Sequence, residues 1–102
     1  MEILNAVVRS VELGIEDHGI LTAFLHLDHE RGSQGFGGYG LYTPKSPDST
    51  GKFIWRCLEV LEVHDWNELK GKPLRIRIEN GLIVSIAHLF KNNWFTPSEE
   101  LK

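Results

Sequence analysis

The chain contains only one cysteine, Cys57, among its 102 residues. One thiol cannot form an internal disulfide, and it cannot supply a zinc site built from several cysteines. No apolar run approaches the ~18 residues of a membrane-spanning segment. The N-terminus also lacks the basic start and apolar stretch of a signal peptide. We therefore expect a cytoplasmic protein without a membrane partner.

Basic residues are outnumbered, with 11 Lys and Arg against 14 Asp and Glu, and the formal net charge is −3. General affinity for nucleic acid usually needs a basic face, so this balance argues against a nucleic-acid partner. It does not exclude one small anionic ligand held by a few arginines. The length fits a single domain over residues 1–102 with one small core.

Motifs for metal binding and catalysis are also missing. The five histidines show no H-E-x-x-H, facial-triad or Cys/His spacing, and His26 and His29 would point to opposite faces of a strand. No serine lies in a nucleophile motif. Asp17 and His18 could form an acid–base pair at a turn, and could equally cap that turn through backbone N–H groups. We expect no enzyme activity, no metal and no cofactor.

The hydrophobic pattern predicts an α+β fold, with an antiparallel sheet packed against one main helix and a C-terminal β-hairpin. The first strand is expected at Ile3–Ile15, with a bulge at Gly14, and the second at Ile20–Asp28. A third strand in the following glycine-rich segment would end near Thr43. The residues of the second strand predicted to face the core are Leu21, Ala23, Leu25 and Leu27.

The main helix is predicted at Gly51–Val63, with Ser49 or Thr50 as its cap. Trp55 projects away from its apolar face, so this ring would lie against the preceding loop or contact another subunit or a ligand. The residues expected on the apolar face are Ile54, Cys57, Leu58 and Leu61, with Phe53 and Val60 beside them.

Asn80-Gly81 lies between two apolar stretches, Leu74–Glu79 and Leu82–His88, and predicts a hairpin with a type I′ turn. The register set by this turn places Ile78 opposite Ile83 and Ile76 opposite Ser85. The other face of the hairpin would carry Arg75 and Arg77 beside apolar side chains. That mixture predicts cover by a subunit partner or by the C-terminal tail, which contains Trp94 and Phe95.

The segment from Gly32 to Tyr42 holds five of the ten glycines. Because glycine lacks a Cβ, such a run allows a chain or a ligand to approach the backbone closely. Its candidate ligand-binding residues are Phe36, Gly37, Gly38 and Tyr39. The alternative is a glycine-weakened strand in which Phe36 and Tyr39 fill the core. The spacing matches neither a dinucleotide fingerprint nor a phosphate loop.

Arginines and aromatic residues together supply what a nucleotide site needs, a planar fork for phosphate and flat faces for bases. Each of these side chains can instead be an ordinary solvated residue. The further candidate ligand-binding residues are Trp55, Arg56, Arg75, Arg77, Asp17 and His18.

Short stretches along most of the chain resemble a family of small phage and prophage proteins that includes or borders the Thoeris anti-defence sponges. These stretches are 13–22, 26–28, 35–39, 53–56, 66–72 and 94–95. The sponges capture cyclic ADP-ribose-type signals made by bacterial TIR proteins. The resemblance implies a homo-oligomer in the host cytoplasm that binds a signal nucleotide at subunit interfaces, with arginines on phosphate and aromatics on adenine. The loop Pro44–Thr50 is shorter than in the relatives, so a pocket lined by it would be altered.

Two other functions are compatible with the sequence. One is a protein-binding inhibitor of a host defence complex, like an anti-CRISPR, in which Trp55 and an acidic surface dock on a basic partner. The other is a small nucleotide hydrolase, for which Asp17, His18 and His26 would be the first residues to mutate.

Overall fold

The computed structural model describes residues 2–38 and 49–101. These residues form an α+β fold in which one main helix packs on a six-stranded antiparallel sheet, which confirms the predicted fold class. The strand order is β3-β2-β1-β4-β5-β6. The elements are β1 (Glu2–Ile15), β2 (Leu21–His29), β3 (Gly32–Gly37), α1 (Ser49–Leu61), a 3₁₀ helix (Trp66–Leu69), β4 (Pro73–Glu79), β5 (Leu82–His88), β6 (Trp94–Phe95) and α2 (Pro97–Glu100). The predicted strand end near Thr43 lies outside the described residues.

The long first strand carries a bulge, but not at the predicted position. Gly14 pairs regularly with Thr22, and the register shift lies between Val8 and Ser10. One extra residue reverses the alternation of side chains along a strand. This is why Val8 and Val11, three positions apart, both contact the core.

The second strand buries most of its predicted core face. Ala23, Leu25 and Leu27 are fully buried, whereas Leu21 is 52% exposed. The reason is the position of α1. The helix begins beside Leu21, where Thr50 Oγ1 donates a hydrogen bond to the Leu21 carbonyl oxygen (3.0 Å). The helix therefore covers only part of the sheet, and the end of the β1–β2 hairpin extends beyond it.

The main helix begins and ends two residues earlier than predicted. Both predicted cap residues, Ser49 and Thr50, lie inside the helix and are buried. The side chains that α1 buries against the sheet include Phe53, Cys57, Val60 and Leu61, whereas Ile54 and Leu58 are only partly buried. The buried face of the helix is therefore centred closer to Phe53 and farther from Ile54 and Leu58 than predicted. Among the described residues, no helix is long and apolar enough to cross a membrane.

Three phenylalanines from different elements join α1 to the sheet, and we call them the phenylalanine cluster: Phe36, Phe53 and Phe95. Their ring centroids are 5.5 to 6.0 Å apart. Gly37 makes room for this packing, because a Cβ at that position would lie 2.5 Å from Phe53 Cζ and 2.7 Å from the Ala23 carbonyl oxygen. Its φ of +99° also belongs to the region that favours glycine.

The Asn80-Gly81 turn has positive φ at both residues, 54° and 79°, as a type I′ turn requires. Ile78 lies opposite Ile83, as predicted. Beyond this pair the predicted register is wrong, because a shift next to Arg77 places Ser85 opposite Arg77 instead of Ile76. The extra residue keeps the apolar side chains of β5 in the core.

The shifted register separates two faces of the C-terminal hairpin. Ile76 lies opposite Ile86, and both are fully buried. Arg75 and Arg77 project from the other face of the sheet, which we call the outer face. The tail covers part of it, because Trp94 pairs with Ala87 in the adjacent strand and contacts both arginines.

We predict that Gly37→Ala strongly destabilises the fold. The substitution adds a methyl group to a contact that has no space for it, in a backbone conformation that disfavours a side chain, and these effects together cost about 2–5 kcal/mol. Urea denaturation followed by far-UV circular dichroism measures the free energy of unfolding.

Gly35→Ala is the matched control in the same strand. A Cβ at Gly35 would meet only Phe24 Cδ2, at an ordinary 3.8 Å. Equal unfolding midpoints for the two variants would show that the approach of Phe53 to Gly37 is unimportant.

Candidate functional site

The candidate residues predicted from the sequence do not form one site. Phe36 and Gly37 belong to the core side of the sheet, and Arg75 and Arg77 to the outer face. Asp17 lies in the turn after the C-terminal end of β1, whereas β4 pairs with the N-terminal half of that strand. Ile15, the last residue of β1 before that turn, is ten positions from Asn5, which pairs with Arg75, and at a rise of ~3.3 Å per residue the two are roughly 33 Å apart. One ligand of nucleotide size cannot contact all of these groups.

The glycine segment has a packing role over the part that the structure describes. Phe36 is buried in the phenylalanine cluster, as the alternative of a core-filling ring predicted. Gly37 accommodates the Phe53 ring. Gly38 is buried and donates its N–H to the Ala23 carbonyl oxygen (2.9 Å), which continues the pairing of β3 with β2. Tyr39 lies outside the described residues.

Arg56 ties α1 to the C-terminal segment and is not a free phosphate ligand. Its guanidinium donates hydrogen bonds to Glu100 Oε1 (2.8 Å), the Trp94 carbonyl oxygen (3.1 Å), Asn93 Oδ1 (3.3 Å) and Glu59 Oε1. It also lies 5.5 Å from the centroid of the Phe95 ring. Because these contacts occupy its donors, the predicted role of Arg56 in ligand binding is replaced by a structural one.

Arg75 is also occupied within the protein. Its Nε donates to the His88 carbonyl oxygen (3.2 Å), and its Nη2 donates to the Lys91 carbonyl oxygen (2.7 Å) and to Asn92 Oδ1 (2.9 Å). The guanidinium therefore holds together the turn between β5 and β6. These bonds use Nε and Nη2 and give Arg75 a structural role.

Arg77 differs from the other two predicted arginines. Its guanidinium carbon lies 3.9 Å from the centroid of the Trp94 ring. The guanidinium makes no hydrogen bond or ion pair within residues 2–38 and 49–101. Stacking on an indole face orients the guanidinium but leaves its N–H groups available at the edge of the plane. Arg77 is thus the predicted arginine that can still address an anion.

A cleft of about 360 Å³ opens beside this guanidinium on the outer face, and we call it the Arg77 cleft. It is lined by Arg77, Glu79, Asn80, Leu82, Val84, Ser85, Thr96, Ser98 and Glu99. The Ser85 and Thr96 hydroxyls form a hydrogen bond to each other (2.6 Å). The cleft thus combines one cation, two carboxylates, several hydroxyl and amide groups and exposed apolar surface, and its volume lies in the range of small-molecule sites.

The sequence predicted Leu82 and Val84 on the same face as Arg77, but it did not indicate that Ser85, Thr96 and Ser98 join them in the Arg77 cleft. Ser85 was assigned to the opposite face, because the shift beside Arg77 was not anticipated. Thr96 and Ser98 come from the C-terminal segment, and their position depends on the pairing of β6 with β5. One feature of the sequence pointed to these residues: the predicted cover of Arg75 and Arg77 by the C-terminal tail places the tail beside Arg77.

Glu16 organises the turn that contains Asp17 and His18. Its carboxylate contacts His18 Nδ1 (2.6 Å) and accepts hydrogen bonds from the backbone N–H groups of His18 (2.7 Å) and Ile20 (3.3 Å). Desolvation raises the pKa of Glu16. The hydrogen bonds and the charge of His18 together lower it by more, so the pKa of Glu16 lies below its usual value. The capping interpretation of the turn is supported, with Glu16 as the capping residue.

Trp55 lies on the side of α1 that faces away from the sheet, and its side chain is 71% exposed. Beside it is a shallow groove of about 280 Å³, which we call the Trp55 groove. It is lined by Trp55, Leu58, Glu59, Val63 and His64. The predicted contact of Trp55 with the loop before α1 involves residues outside the described part of the chain.

The remaining chemical groups offer little for catalysis. Cys57 is fully buried, and burial raises the pKa of its thiol, an effect that the nearby Arg56 charge only partly offsets. The thiol therefore stays protonated at neutral pH. Over residues 2–38 and 49–101, no three His, Cys, Asp or Glu side chains lie close enough together to hold a metal ion.

Comparison of the chain with protein-family models, curated proteins and solved structures finds no match.

We predict that Arg56→Ala lowers the free energy of unfolding by about 1.5–3 kcal/mol, because it leaves Glu100 and the β6 backbone without their charged partner. Urea denaturation provides the measurement. Arg9→Ala is the matched control, since its exposed side chain makes one ion pair with Asp28 at 3.7 Å, and its loss costs less than about 1 kcal/mol. An Arg56→Ala midpoint equal to that of the control would contradict the structural role.

Proposed function

We propose that the protein binds a small anionic nucleotide in the Arg77 cleft and holds it without cleavage. The observation that carries this proposal is the Arg77 guanidinium, which stacks on Trp94 at 3.9 Å and keeps its hydrogen-bond donors unpaired among the described residues. A stacked guanidinium is permanently charged and already oriented, so little entropy is lost when it binds a phosphate.

The rest of the cleft suits the other parts of a nucleotide. Leu82, which is 64% exposed, and Val84 offer an apolar surface to a base. Glu79 and Glu99 can accept hydrogen bonds from ribose hydroxyls or from an exocyclic amine. The same carboxylates repel additional negative charge, so one or two phosphates fit this lining better than three.

Capture is favoured over hydrolysis by the state of the hydroxyl groups. Ser85 Oγ is hydrogen-bonded to Thr96 Oγ1 (2.6 Å), and within residues 2–38 and 49–101 it bonds to no histidine or carboxylate that could remove its proton. Activation of a serine requires such a base. The groups that line the cleft can therefore bind and orient a ligand, but they do not form a nucleophile–base pair.

A binding function of this kind agrees with the resemblance to the Thoeris anti-defence sponges, although the Arg77 cleft lies within one chain and not at the subunit interface that the resemblance implies. We accordingly propose a phage anti-defence role in the host cytoplasm, with a cyclic ADP-ribose-type signal as the ligand. A sponge needs a fixed site of the right chemistry and no catalytic residues, and the Arg77 cleft meets this requirement.

A protein-binding inhibitor is the second candidate, and it depends on Trp55. An indole that is 71% exposed beside an apolar groove has the character of an anchor at a protein interface. In this alternative the Trp55 groove contacts the host complex, and the Arg77 cleft plays no part.

We predict that Arg77→Gln weakens nucleotide binding by about 1.5–3 kcal/mol, the contribution of a charge-assisted hydrogen bond. A panel of cyclic and linear nucleotides is first tested by thermal denaturation, since a ligand at 100 times its Kd adds about 2.7 kcal/mol to stability. Isothermal titration with the stabilising compound then gives Kd for the wild type and the variants. The bound compound is finally released by denaturing the protein and analysed by mass spectrometry.

Arg9→Gln is the control that removes the same charge outside the cleft, and Trp55→Ala tests the second candidate. Both variants should bind the nucleotide like the wild type, and the released compound should be intact. Equal affinity of Arg77→Gln and the wild type would rule out the Arg77 cleft. A shortened or linearised product would replace capture by hydrolysis, and the absence of any stabilising nucleotide would favour the Trp55 interface.

A further inference from the structure

Half of β1 has a free edge on the side of β4. The strand pairs with β2 as far as Ile15, whereas β4 pairs only with Glu2–Val7. Val8 still bonds to the turn before β4, because its N–H donates to the Lys72 carbonyl oxygen (3.0 Å) and its carbonyl oxygen accepts from Gly71 (2.7 Å). Beyond Val8, no backbone group within 2–38 or 49–101 bonds to this edge.

The hydrogen bonds at the end of the strand identify the groups that face the free edge. Glu16 N–H donates to the Ile20 carbonyl oxygen (3.0 Å), so the backbone groups of Glu16 point toward β2. Groups alternate between the two sides along an antiparallel strand. Val11, Leu13 and Ile15 therefore direct their N–H and carbonyl groups away from β2, toward the free edge.

Apolar side chains accompany these unpaired backbone groups. Leu13 and Ile15 are 51% and 75% exposed, and the neighbouring Leu21 is 52% exposed. All three lie on the helix side of the sheet, at the end that α1 leaves uncovered. Natural proteins usually protect an open edge with lysine, proline or a covering segment. Residues 11–15 contain neither lysine nor proline, and no other segment of the described chain bonds to this edge.

We propose that a second copy of this chain pairs antiparallel with Val11–Ile15 about a two-fold axis at Leu13. In this register Leu13 lies opposite the partner's Leu13, and Val11 lies opposite the partner's Ile15. Each outward N–H then meets a carbonyl oxygen of the other chain, as in the hydrogen-bonded pairs of an antiparallel ladder. The two sheets become one continuous sheet.

The free stretch is complementary to itself, which favours a second copy over an unrelated protein. It is bounded by Val8 on one side and by the Glu16 turn on the other, and its middle outward residue is Leu13. A two-fold axis at this residue pairs every outward group, whereas an axis at Val11 would bring Ile15 against Val7, which Pro73 already covers.

Side-chain chemistry favours the same register. Glu12 falls opposite the partner's Gly14, so the two Glu12 carboxylates do not oppose each other. Gly14 has no heavy atom within 4 Å of its Cβ position, which leaves room for the facing side chain. The apolar residues of the two edges meet on the helix side, where Leu21 extends the buried surface.

This dimer is independent of the proposed nucleotide site. The Arg77 cleft lies on the half of the sheet that contains β4, β5 and β6, and the free edge lies at the opposite end of β1. Pairing at the edge would leave the cleft open in both copies.

Analytical ultracentrifugation of the full chain at micromolar concentration tests the proposal. The wild type should sediment with twice the 11.6 kDa chain mass. Leu13→Lys places two like charges next to each other at the two-fold axis and should give the monomer mass, with an unchanged far-UV circular dichroism spectrum. Trp55→Lys is the control, because it adds the same charge at another exposed apolar residue, and this variant should remain a dimer.

Amide hydrogen exchange of the wild type gives a readout that needs no variant. The amides of Val11, Leu13 and Ile15 should be protected at high concentration and exchange rapidly on dilution. A wild-type monomer, a Leu13→Lys dimer, or rapid exchange of these amides at high concentration would overturn the proposal. Dissociation by Trp55→Lys alone would instead assign the interface to the Trp55 groove.

Discussion

The close approach of the Phe53 ring to the backbone of Gly37 fixes the position of α1 on the sheet. A Cβ at Gly37 would lie 2.5 Å from this ring, so the helix can lie this close to β3 only because the residue is glycine. Phe36 and Phe95 complete the cluster, and Arg56 fastens the same helix to the C-terminal segment. With α1 held on one face, the arginines of β4 remain on the other. The outer face is therefore accessible because the phenylalanine cluster holds α1 on the opposite face of the sheet.

Two register shifts decide which side chains each face receives. The shift between Val8 and Ser10 places Val8 and Val11 on the same side of the sheet, where both contact the core. The shift beside Arg77 moves Ile86 into the core and brings Ser85 to the outer face. Without the second shift, the Ser85 hydroxyl group would point toward α1 and not into the Arg77 cleft. The candidate site therefore depends on a local irregularity of the sheet as much as on its residue types.

Local patterns predicted the architecture but not the site. Asn80-Gly81 specifies its turn through the backbone conformations of two residues, and alternation of apolar residues locates β2, so both could be read from short stretches. The shift beside Arg77 depends on packing against α1 and β6, which no short stretch contains. The partners of Arg56 are also remote, since Glu100 is 44 positions away. Residue type alone therefore could not separate the two structural arginines from Arg77.

The central claim is that ligand binding belongs to the outer face, while the glycine segment and α1 support the fold. Titration of the ¹⁵N-labelled protein with the stabilising nucleotide, followed by two-dimensional NMR, tests this claim most directly. The largest shift changes should fall on the amides of Arg77, Ser85 and Thr96, and on the Arg77 guanidinium. Largest changes at Gly37 or along α1, with an unperturbed Arg77, would contradict the account.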